Sequence, residues 1–408
     1  MQCRFCNTPL EHEFIDLYNA PASNSFLTRE QLNEPETFYP LKVFVCHKCF
    51  LVQVDEYKSF DAIFNSEYVY FSSYSTSWLA HSRKYVEAMT ERFKLNPASL
   101  VVEIASNDGY LLQYFVQKKV PVLGIEPTAN TAEVARQKGV ETLTEFFGTR
   151  LATRLAAEGR QADLFLGNNV LAHVPDIVDL VAGMKIILKP QGVVTMEFPH
   201  LMQLVEHNQF DTIYHEHFSY LSFHTIRQVF ASQGLELFDV DEIPTHGGSL
   251  RIYARHMENE ALPVSANVRN LLNKETGRGM TGLSYYTGFQ QRALEVKMDV
   301  LNFLTEQKKA GRLVAAYGAA AKGNTLLNYS GVRSDLIAFV VDANPAKQGK
   351  FLPASHIPVV NEQELKDKKP PFVIILPWNI KDEIIKQLGS IREWGGQFVV
   401  FIPKLSVE

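Results

Sequence analysis

The densest group of reactive side chains in the sequence is the stretch Tyr214–Tyr220, which reads Y-H-E-H-F-S-Y. It brings two imidazoles, a carboxylate and two phenols into seven residues. A neutral imidazole beside a carboxylate and a phenol can move a proton near neutral pH. The spacing does not match H-E-x-x-H, which places two histidines over zinc on one helical face. The stretch therefore indicates acid–base chemistry, with a solvated or structural polar cluster as the alternative.

The four cysteines form a second chemical pattern, because they fall into two C-x-x-C pairs that use every cysteine of the chain. Four thiolates in this pattern are typical of a structural zinc site that has no open position for a substrate. Disulfide bonds are the alternative, and they are disfavoured in a protein of cytoplasmic character. A redox role is also less favoured, because neither pair opens a helix after a strand. The predicted zinc ligands are Cys3, Cys6, Cys46 and Cys49.

The composition is that of an ordinary globular protein with more than one domain. Of the 408 residues 46% are hydrophobic and 21% are charged, and the formal net charge is -5. A chain of this length predicts two to three domains. The negative balance disfavours nucleic-acid and membrane-surface binding, and no apolar run approaches the ~20 residues of a membrane span. We therefore expect a cytoplasmic protein without nucleic-acid or membrane partners.

Strand and helix patterns alternate from Leu100 onward. A buried strand at Leu100–Ala105, a tight turn at Ser106–Gly109 and a helix at Tyr110–Lys118 begin the series. Alternation of this kind predicts a doubly wound α/β domain with its ligands at the carboxyl ends of the strands. Further strands of this domain are predicted at Val122–Glu126, Leu164–Gly167 and Gly192–Phe198.

A second series of elements lies beyond Leu235. It is predicted to begin with a strand at Leu250–Ala254 and a long helix at Ser284–Ala310. Its other strands are predicted at Leu313–Tyr317, Ile337–Asp342, Phe372–Leu376 and Gln397–Phe401. We therefore predict an α/β protein of three domains: a zinc module at 1–65, a Rossmann-like sheet at 66–240 and a smaller Rossmann-like sheet at 241–408.

The turn after the first strand lacks the G-x-G-x-x-G fingerprint of a dinucleotide site. It carries the acids Glu103 and Asp108, which repel phosphate and suit a cationic nucleoside such as S-adenosylmethionine. Glu126 ends the next strand and is placed to accept hydrogen bonds from ribose hydroxyls. The alternative is a set of ordinary turn and cap residues. The predicted cofactor residues are Glu103, Ser106, Asn107, Asp108, Gly109, Glu126, Asn168 and Asn169.

The chain resembles the sugar C-methyltransferases that act on nucleotide-linked 4-keto-deoxyhexoses. The resemblance spans nearly the whole length and rests on the double C-x-x-C, the E-x-x-S-N-D-G loop, Y-H-E-H at 214–217 and Y-G-A-x-A-K-G-N-T at 317–325. Two departures, Ala105 in place of a common glycine and Ala319–Ala320 in place of a common proline, remove no functional side chain. The resemblance implies a class I methyltransferase domain between the zinc module and the C-terminal domain. It also implies S-adenosylmethionine as cofactor and a structural zinc ion.

The resemblance further implies a mechanism. A 4-keto sugar has an acidified C–H beside the ketone, and removal of that proton gives an enolate whose carbon attacks the S-methyl group. Methylation at C3 is expected from its frequency in the family, with C5 as the alternative. The implied catalytic residues are His217 as the base, Tyr214 and Glu216 as its partners, His173 and Tyr68.

The sugar nucleotide, linked to dTDP or GDP, is expected against the C-terminal domain. The loop Gly318–Asn324 follows a strand and opens a helix, and its small residues let backbone N–H groups approach a diphosphate. His246–Ser249 is a further candidate for the cleft wall, whereas His215 is expected to face away from the substrate. The chain is expected to be a monomer or a weak homodimer. The predicted substrate-binding residues are Tyr70, Ser72, Gly318, Lys322 and Asn324.

Two other functions fit parts of the sequence. An NAD-linked oxidoreductase or epimerase would use the C-terminal sheet, but Y-G-A-A-A-K is a poor dinucleotide fingerprint and no Tyr-x-x-x-Lys pair leads that sheet. A non-catalytic zinc-binding partner module is disfavoured, because the acidic loop and the His-Glu-His are both intact.

Overall fold

The computed structural model describes residues 1–57 and 71–408. Tyr68 and Tyr70, which the resemblance assigns to the site, lie outside the described residues. Within the described ranges the strands form three sheets, and the α/β architecture with a cysteine-bearing N-terminal module is confirmed. None of the helices in these ranges has the length and apolar character that crossing a membrane requires.

The N-terminal module is a small antiparallel sheet flanked by the two cysteine turns. Its strands are β1 (His12–Ala20), β2 (Tyr39–Val45) and β3 (Val52–Val54), with β2 between the others. Leu41, Val43 and Val45 alternate along β2 and are buried, as period-two burial on one face of a strand requires. This face shares a core with the C-terminal sheet. The second cysteine pair follows β2 directly, so the sheet positions it.

The central unit is a seven-stranded sheet in the described ranges, in the order β10-β11-β8-β7-β4-β5-β6. Strands β4 to β8 of this sheet are parallel to one another, and β11 runs antiparallel to its neighbours. The chain order reverses at β4, which lies between β5 and β7, and ligands bind at such a switch point. The seven strands are β4 (Val101–Ile104), β5 (Val122–Ile125), β6 (Thr142–Leu143), β7 (Ala162–Asn168), β8 (Leu188–Pro199), β10 (Leu235–Ile243) and β11 (Ser249–His256).

The helices of this unit are α1 (Thr76–Arg92), α2 (Leu112–Gln117), α3 (Ala129–Gln137), α4 (Thr149–Ala157), α5 (Ile177–Ile187), α6 (Leu201–Glu206) and α7 (Phe223–Ser232). Ser75 caps α1 by accepting from the backbone N–H of Trp78, a common N-cap bond. Strand β9 (Ser219–Tyr220) is not part of the central sheet: it pairs with β3 of the N-terminal module, where Gln53 lies opposite Ser219. The end of the Tyr214 stretch is therefore joined to the zinc module.

The prediction that the strand Leu250–Ala254 belongs to the C-terminal sheet is wrong. These residues lie in β11, which pairs with β8 and β10 inside the central sheet. A strand pattern does not indicate which sheet accepts the strand, because the pairing partner is distant in sequence. The central sheet therefore extends past residue 240, to His256.

The C-terminal unit is a smaller sheet of order β14-β13-β12-β15-β16-β17, parallel except for β17. The long helix begins at Phe289 rather than Ser284, because Gly288 has a φ of 84° and interrupts the helical path. The strands of the C-terminal unit are β12 (Val314–Tyr317), β13 (Val340–Val341), β14 (Val359–Val360), β15 (Phe372–Ile375), β16 (Gln397–Val400) and β17 (Ser406–Val407). Its helices, with the connecting α8, are α8 (Ala266–Gly277), α9 (Phe289–Lys309), α10 (Ala321–Ser330), α11 (Gln363–Lys368) and α12 (Lys381–Gln387).

Short 3-10 turns complete the described elements. They lie at Gln31–Asn33, Ser72–Tyr74, Leu171–His173, Phe210–Thr212, Thr245–Gly247, Leu283–Tyr285, Trp378–Ile380 and Gly389–Trp394. Two of them, Leu171–His173 and Phe210–Thr212, position His173 and His217, which are described below.

Candidate active site

The last two residues of the Tyr214 stretch form β9, and its first five, Tyr214–Phe218, form a turn that is neither helix nor strand. The turn lies between the 3-10 turn Phe210–Thr212 and β9, and the backbone N–H of His217 donates to the carbonyl of Tyr214 over 2.9 Å. This turn folds the imidazole of His217 onto the phenol of Tyr214, with ring centroids 4.0 Å apart. The two side chains therefore act as one unit.

The hydrogen bonds of His217 define its tautomer. Its Nδ1 lies 2.8 Å from the carbonyl oxygen of Thr212, which can only accept, so Nδ1 carries the proton. In the neutral ring Nε2 is then the acceptor, and the Tyr214 hydroxyl donates to it over 2.7 Å. The lone pair of Nε2 is consequently the basic position of this side chain.

The surroundings of His217 keep the imidazole neutral. Desolvation lowers its pKa well below the ordinary histidine value, and the charge of His173 lowers it further. The two imidazoles meet edge to face with centroids 4.6 Å apart, and desolvation also lowers the pKa of His173 to about 4. A neutral imidazole can accept a proton, whereas an imidazolium cannot.

The other polar residues of the stretch are held by different parts of the chain. Glu216 Oε1 accepts a hydrogen bond from Asn24 Nδ2 over 2.8 Å, and Asn24 belongs to the long loop between β1 and β2. The backbone carbonyl of Glu216 accepts from the His173 imidazole. His215 donates from Nε2 to the carbonyl of Pro40 over 3.2 Å and is thus tied to the N-terminal module.

The loop after β4 has the character of a cation site. Glu103 is 0% exposed, and within the described residues its carboxylate oxygens make no well-aligned hydrogen bond; the Tyr110 hydroxyl is close enough to lower its pKa in part. Burial raises the pKa of Glu103 well above its ordinary value. Both side-chain polar atoms of Asn168, at the end of β7, also lack a hydrogen-bond partner there. A buried carboxylate and amide left unsatisfied fit a ligand that brings an ammonium group, as S-adenosylmethionine does.

Glu126 closes the same loop from the end of β5. Its Oε2 accepts from the backbone N–H of Asn107 and its Oε1 from that of Thr128, each over 2.9 Å. Ala105 and Asn107 have φ values of 50° and 47°, in the left-handed region where glycine is more usual. The bonds to Glu126 stabilise that backbone path, on which Ala105 removes no functional side chain.

Two residues of the loop, Asp108 and Asn107, have partners elsewhere in the chain that the sequence did not predict. Asp108 forms an ion pair with Lys138 over 3.0 Å, so the loop is less negative than its two acids suggested. Asn107 Oδ1 accepts from the backbone N–H of Ser72 over 2.9 Å. Ser72, predicted to bind substrate, therefore packs against the cofactor loop and contacts it through its own backbone N–H.

Glu197, at the carboxyl end of β8, is a buried acid that the sequence analysis missed. Its Oε2 lies 2.8 Å from His81 Nε2 and its Oε1 accepts from Arg251 Nε over 2.7 Å. His81 stacks on Trp78 at 4.9 Å between centroids, and Trp78 meets His246 edge to face at 5.2 Å. The rule that singled out Glu126, an acid at the end of a parallel strand, would have found Glu197 as well.

The loop after β12 faces the His173–His217 pair through Lys322. Lys322 Nζ donates to Asn379 Oδ1 over 2.6 Å and lies 4.8 Å above the Trp378 ring. Trp378 in turn donates from Nε1 to Asp211 Oδ2 over 2.7 Å, and the charge of Lys322 helps to lower the pKa of His217. Lys322 is therefore placed where the C-terminal sheet meets the Tyr214 stretch.

The remaining residues of that loop do not form the predicted anion cradle. Asn324 Nδ2 donates to the carbonyl of Ser23 over 2.6 Å, and the backbone N–H of Ala319 donates to Asp342 Oδ2 over 2.8 Å. One of the two amide hydrogens of Asn324 is thus engaged by the long loop of the N-terminal module, and donation from Asn324 to phosphate oxygens stays a prediction. Gly318 has a φ of 91° and packs against Pro377, where a Cβ would collide.

The cysteine sulfurs have the geometry of a metal site. All four Sγ atoms lie within 4.8 Å of one another, with Cys3 to Cys49 and Cys6 to Cys46 each at 3.5 Å. Tetrahedral coordination at ~2.3 Å per Zn–S bond gives S–S edges of about 3.8 Å, whereas a disulfide needs ~2.05 Å. The arrangement fits zinc and does not fit the disulfide alternative.

Comparisons with known proteins match three successive parts of the chain, the third of which includes β11 of the central sheet. Family models match residues 3–64 ("zinc binding domain"), 78–240 ("Methyltransferase domain") and 244–403 ("C-methyltransferase C-terminal domain"). The C-methyltransferase NovU of Streptomyces niveus is 34% identical over 405 residues, which cover 99% of this chain and 96% of the relative.

Solved structures are similar over less than half of the chain. The PH0226 protein from Pyrococcus horikoshii OT3 aligns with a TM-score of 0.38 and 14% identity over 46% of this chain and 95% of its own. Magnesium protoporphyrin IX methyltransferase from Synechocystis PCC 6803 aligns with a TM-score of 0.34 and 16% identity over 43% of this chain and 83% of its own. The assignment rests on the family models and the full-length relative, and on these grounds the chain belongs to the zinc-binding, S-adenosylmethionine-dependent C-methyltransferases of the NovU type.

Proposed function

We propose that this enzyme transfers a methyl group from S-adenosylmethionine to a ring carbon beside the ketone of a nucleotide-linked 4-keto-deoxyhexose. The observation that carries the proposal is the half-buried pair of Tyr214 and His217, in which Nε2 is the basic atom and the imidazole stays neutral. A carbon acid beside a ketone needs such a base, because carbon has no lone pair of its own to attack a methyl group. The relative named C-methyltransferase NovU supports carbon as the acceptor.

The cofactor lies at the carboxyl ends of β4, β5 and β7 in this proposal. S-adenosylmethionine supplies an electrophilic methyl group at its sulfonium. Glu103 and Asn168 hold the ammonium group with the buried polar atoms that lack partners within the described residues. Glu126 accepts from the ribose. The loop residues Ser106, Asn107, Asp108 and Gly109, together with Asn169, shape the rest of the cofactor site.

The chain moves one proton in this mechanism. His217 Nε2 takes the proton from the carbon beside the ketone, and the C–H electron pair becomes the C=C bond of the enolate while the ketone oxygen gains the negative charge. The bond from Nδ1 to Thr212 remains in place and stabilises the imidazolium that forms. Tyr214, released from Nε2, is placed to donate to the enolate oxygen. His173 and Glu216 hold this group in position, and Tyr68 remains a predicted participant.

In this proposal the sugar nucleotide binds where the His173–His217 pair faces the C-terminal unit. Lys322 contributes positive charge at this boundary, which suits a dTDP- or GDP-linked diphosphate. Ser72 and Gly318 act through the loops they shape, and Tyr70 remains a predicted contact. The methylated carbon is C3 on the resemblance, with C5 as the alternative that flanks the same ketone.

A labelled transfer reaction tests the proposal. The protein is incubated with [methyl-13C]S-adenosylmethionine and a panel of dTDP- and GDP-linked 4-keto-deoxyhexoses, and carbon NMR of the product locates the label. A methyl group bonded to ring carbon supports the proposal, and its position separates C3 from C5. Methylation of oxygen or nitrogen, or cofactor binding without transfer to any sugar of the panel, contradicts it. Parallel titration with NAD tests the oxidoreductase alternative.

A further inference from the structure

We infer that Arg4, inside the first cysteine turn, is a positioning residue that sets the geometry of His173 and His217. This inference rests on the proposed function, because it gives the zinc module a part in the proton transfer. Arg4 lies between two predicted zinc ligands, Cys3 and Cys6, yet its side chain contacts the segments that carry the two histidines.

The guanidinium of Arg4 bonds to the segment that holds His173. Its NH1 donates to the carbonyl of Pro175 over 2.7 Å, two residues beyond His173. Its NH2 donates to the carbonyl of Val54, in β3, over 2.6 Å. The planar donors of one guanidinium thus fix the end of the His173 turn relative to the N-terminal sheet.

The same guanidinium contacts the segment that holds His217. Its central carbon lies 5.4 Å from the centroid of the Phe218 ring, and Phe218 directly follows His217. The backbone N–H of Phe218 donates to the carbonyl of Ala172 over 2.7 Å, and its carbonyl accepts from Val54 over 3.1 Å. Arg4 therefore lies where the two histidine-bearing segments and β3 meet.

The cysteine cluster fixes the other end of Arg4. The backbone N–H of Arg4 donates to Gln53 Oε1 over 2.9 Å, and Gln53 Nε2 lies 3.3 Å from the sulfur of Cys3. Since Arg4 stands between two thiolates of one metal site, its backbone cannot shift without moving the sulfurs. The thiolate cluster, Arg4 and the imidazole pair form one continuous set of contacts.

The imidazole pair is sensitive to such positioning. The rings of His173 and His217 are 4.6 Å apart, and proton transfer requires Nε2 to lie within hydrogen-bond reach of the carbon acid. A displacement of ~1 Å in a reacting group can cost about 100-fold in rate. Loss of the Arg4 contacts should consequently lower kcat without weakening the binding of the cofactor, whose loop lies on other strands.

Three variants of the full chain test this role: Arg4→Met, Arg4→Lys and the control Lys48→Met. Lys48 lies inside the second cysteine turn but is exposed, so its removal alters the charge of the zinc module without touching the histidine segments. For each variant we would measure zinc content, cofactor affinity by calorimetry, kcat and KM for methyl transfer, and the imidazole NMR signals of the histidines. His256, which bonds to the Leu188 carbonyl at the far end of the sheet, serves as the internal NMR reference.

The expected result for Arg4→Met is one zinc per chain, wild-type cofactor affinity, a kcat lowered about 10- to 100-fold and shifted signals of His173 and His217 only. Arg4→Lys, which keeps the charge and can reach one carbonyl, should be intermediate, and Lys48→Met should match wild type. If Arg4→Met loses zinc, the kcat and the histidine signals of Arg4→Lys test the inference in its place. Wild-type kcat and unshifted histidine signals in a zinc-replete variant overturn the inference. If wild type itself methylates no sugar, the proposed function fails, and the NMR shifts still test the positioning role.

Discussion

Thr212 and His217 are joined by a 2.8 Å hydrogen bond from Nδ1 to a backbone carbonyl, and this bond determines which ring nitrogen is basic. Thr212 belongs to the short turn in which Asp211 accepts from Trp378 of the C-terminal unit. The tautomer of the base is thus set by the segment against which the C-terminal sheet packs. If the C-terminal sheet holds the substrate as proposed, the same backbone turn positions both the substrate and the proton acceptor.

Replacing His217 with Asn should abolish methyl transfer, with a loss of at least about 100-fold in kcat, because the proton acceptor is gone. Cofactor affinity should change little, since the cofactor loop lies at the ends of β4 and β5. The matched control is His215→Asn, two residues away, whose imidazole bonds to Pro40 on the N-terminal module. Solvent deuterium exchange beside the ketone measures the proton step alone. Near-normal exchange in His217→Asn would remove the assignment of the base.

As the pH is lowered, the rate of deuterium exchange beside the ketone should begin to fall only below the ordinary histidine pKa of ~6.5. Desolvation lowers the pKa of His217 well below that value and the pKa of His173 to about 4. A lowered pKa preserves the neutral form, so the exchange rate should stay level from about pH 7.5 to about 5.5. An inflection near pH 6.5 would show that the base titrates as a solvated histidine.

The same pKa shifts predict that the folded protein loses stability in acid. Below ~6.5 the unfolded chain binds protons at these histidines, whereas the folded protein does not until the pH approaches the lowered values. The free energy of unfolding should therefore fall as the pH falls from ~6.5 towards ~4. Denaturant unfolding across this range measures it, and replacing His173 with Gln should flatten the slope.

Replacing Glu103 with Gln should weaken S-adenosylmethionine binding by at least about tenfold, because the carboxylate that meets the ammonium group is lost. The cofactor-free variant should be no less stable than wild type, since it removes a buried, unsatisfied acid whose ionisation is costly. Glu133→Gln, an exposed change on α3, is the control. Calorimetry and thermal unfolding give both quantities. Unchanged affinity would place the ammonium group elsewhere.

Lys322→Met should raise KM for the sugar nucleotide by about tenfold and change kcat much less, as expected of a residue that binds a diphosphate. Because the charge of Lys322 lowers the pKa of His217, the acid limb of the pH profile should also move to higher pH. Lys347→Met is the matched control, as its ammonium bonds to the Ala319 carbonyl of the same loop. A lowered kcat with unchanged KM would instead assign Lys322 to the enolate oxygen.

Replacing Cys46 with Ser should release the zinc and unfold the N-terminal sheet, because the thiolate cluster closes both cysteine turns. Elemental analysis of wild type should give one zinc per chain. His47→Ala, an exposed change beside the same ligand, should keep the metal. A carefully purified wild-type protein without zinc would contradict the assignment.

Local patterns in the sequence were sufficient for several features of this protein. The zinc ligands follow from two C-x-x-C pairs, and most strands of both parallel sheets follow from short buried apolar runs bounded by turns. The prediction of acid–base chemistry at the Tyr214 stretch rests on its side-chain types alone and is tested by the His217 variant. These features depend on residue type and short-range spacing, which the sequence shows directly.

Tertiary structure decided the features that depend on partners distant in the chain. The sheet that accepts Leu250–Ala254, the ion pair of Asp108 with Lys138 and the engagement of Asn324 by Ser23 each involve residues that the sequence does not bring together. The tautomer of His217 is set by a carbonyl only five residues away, but the sequence does not show it either, because every residue type has the same carbonyl. The side chains therefore specify which chemistry is possible, and the folded backbone specifies which atom performs it.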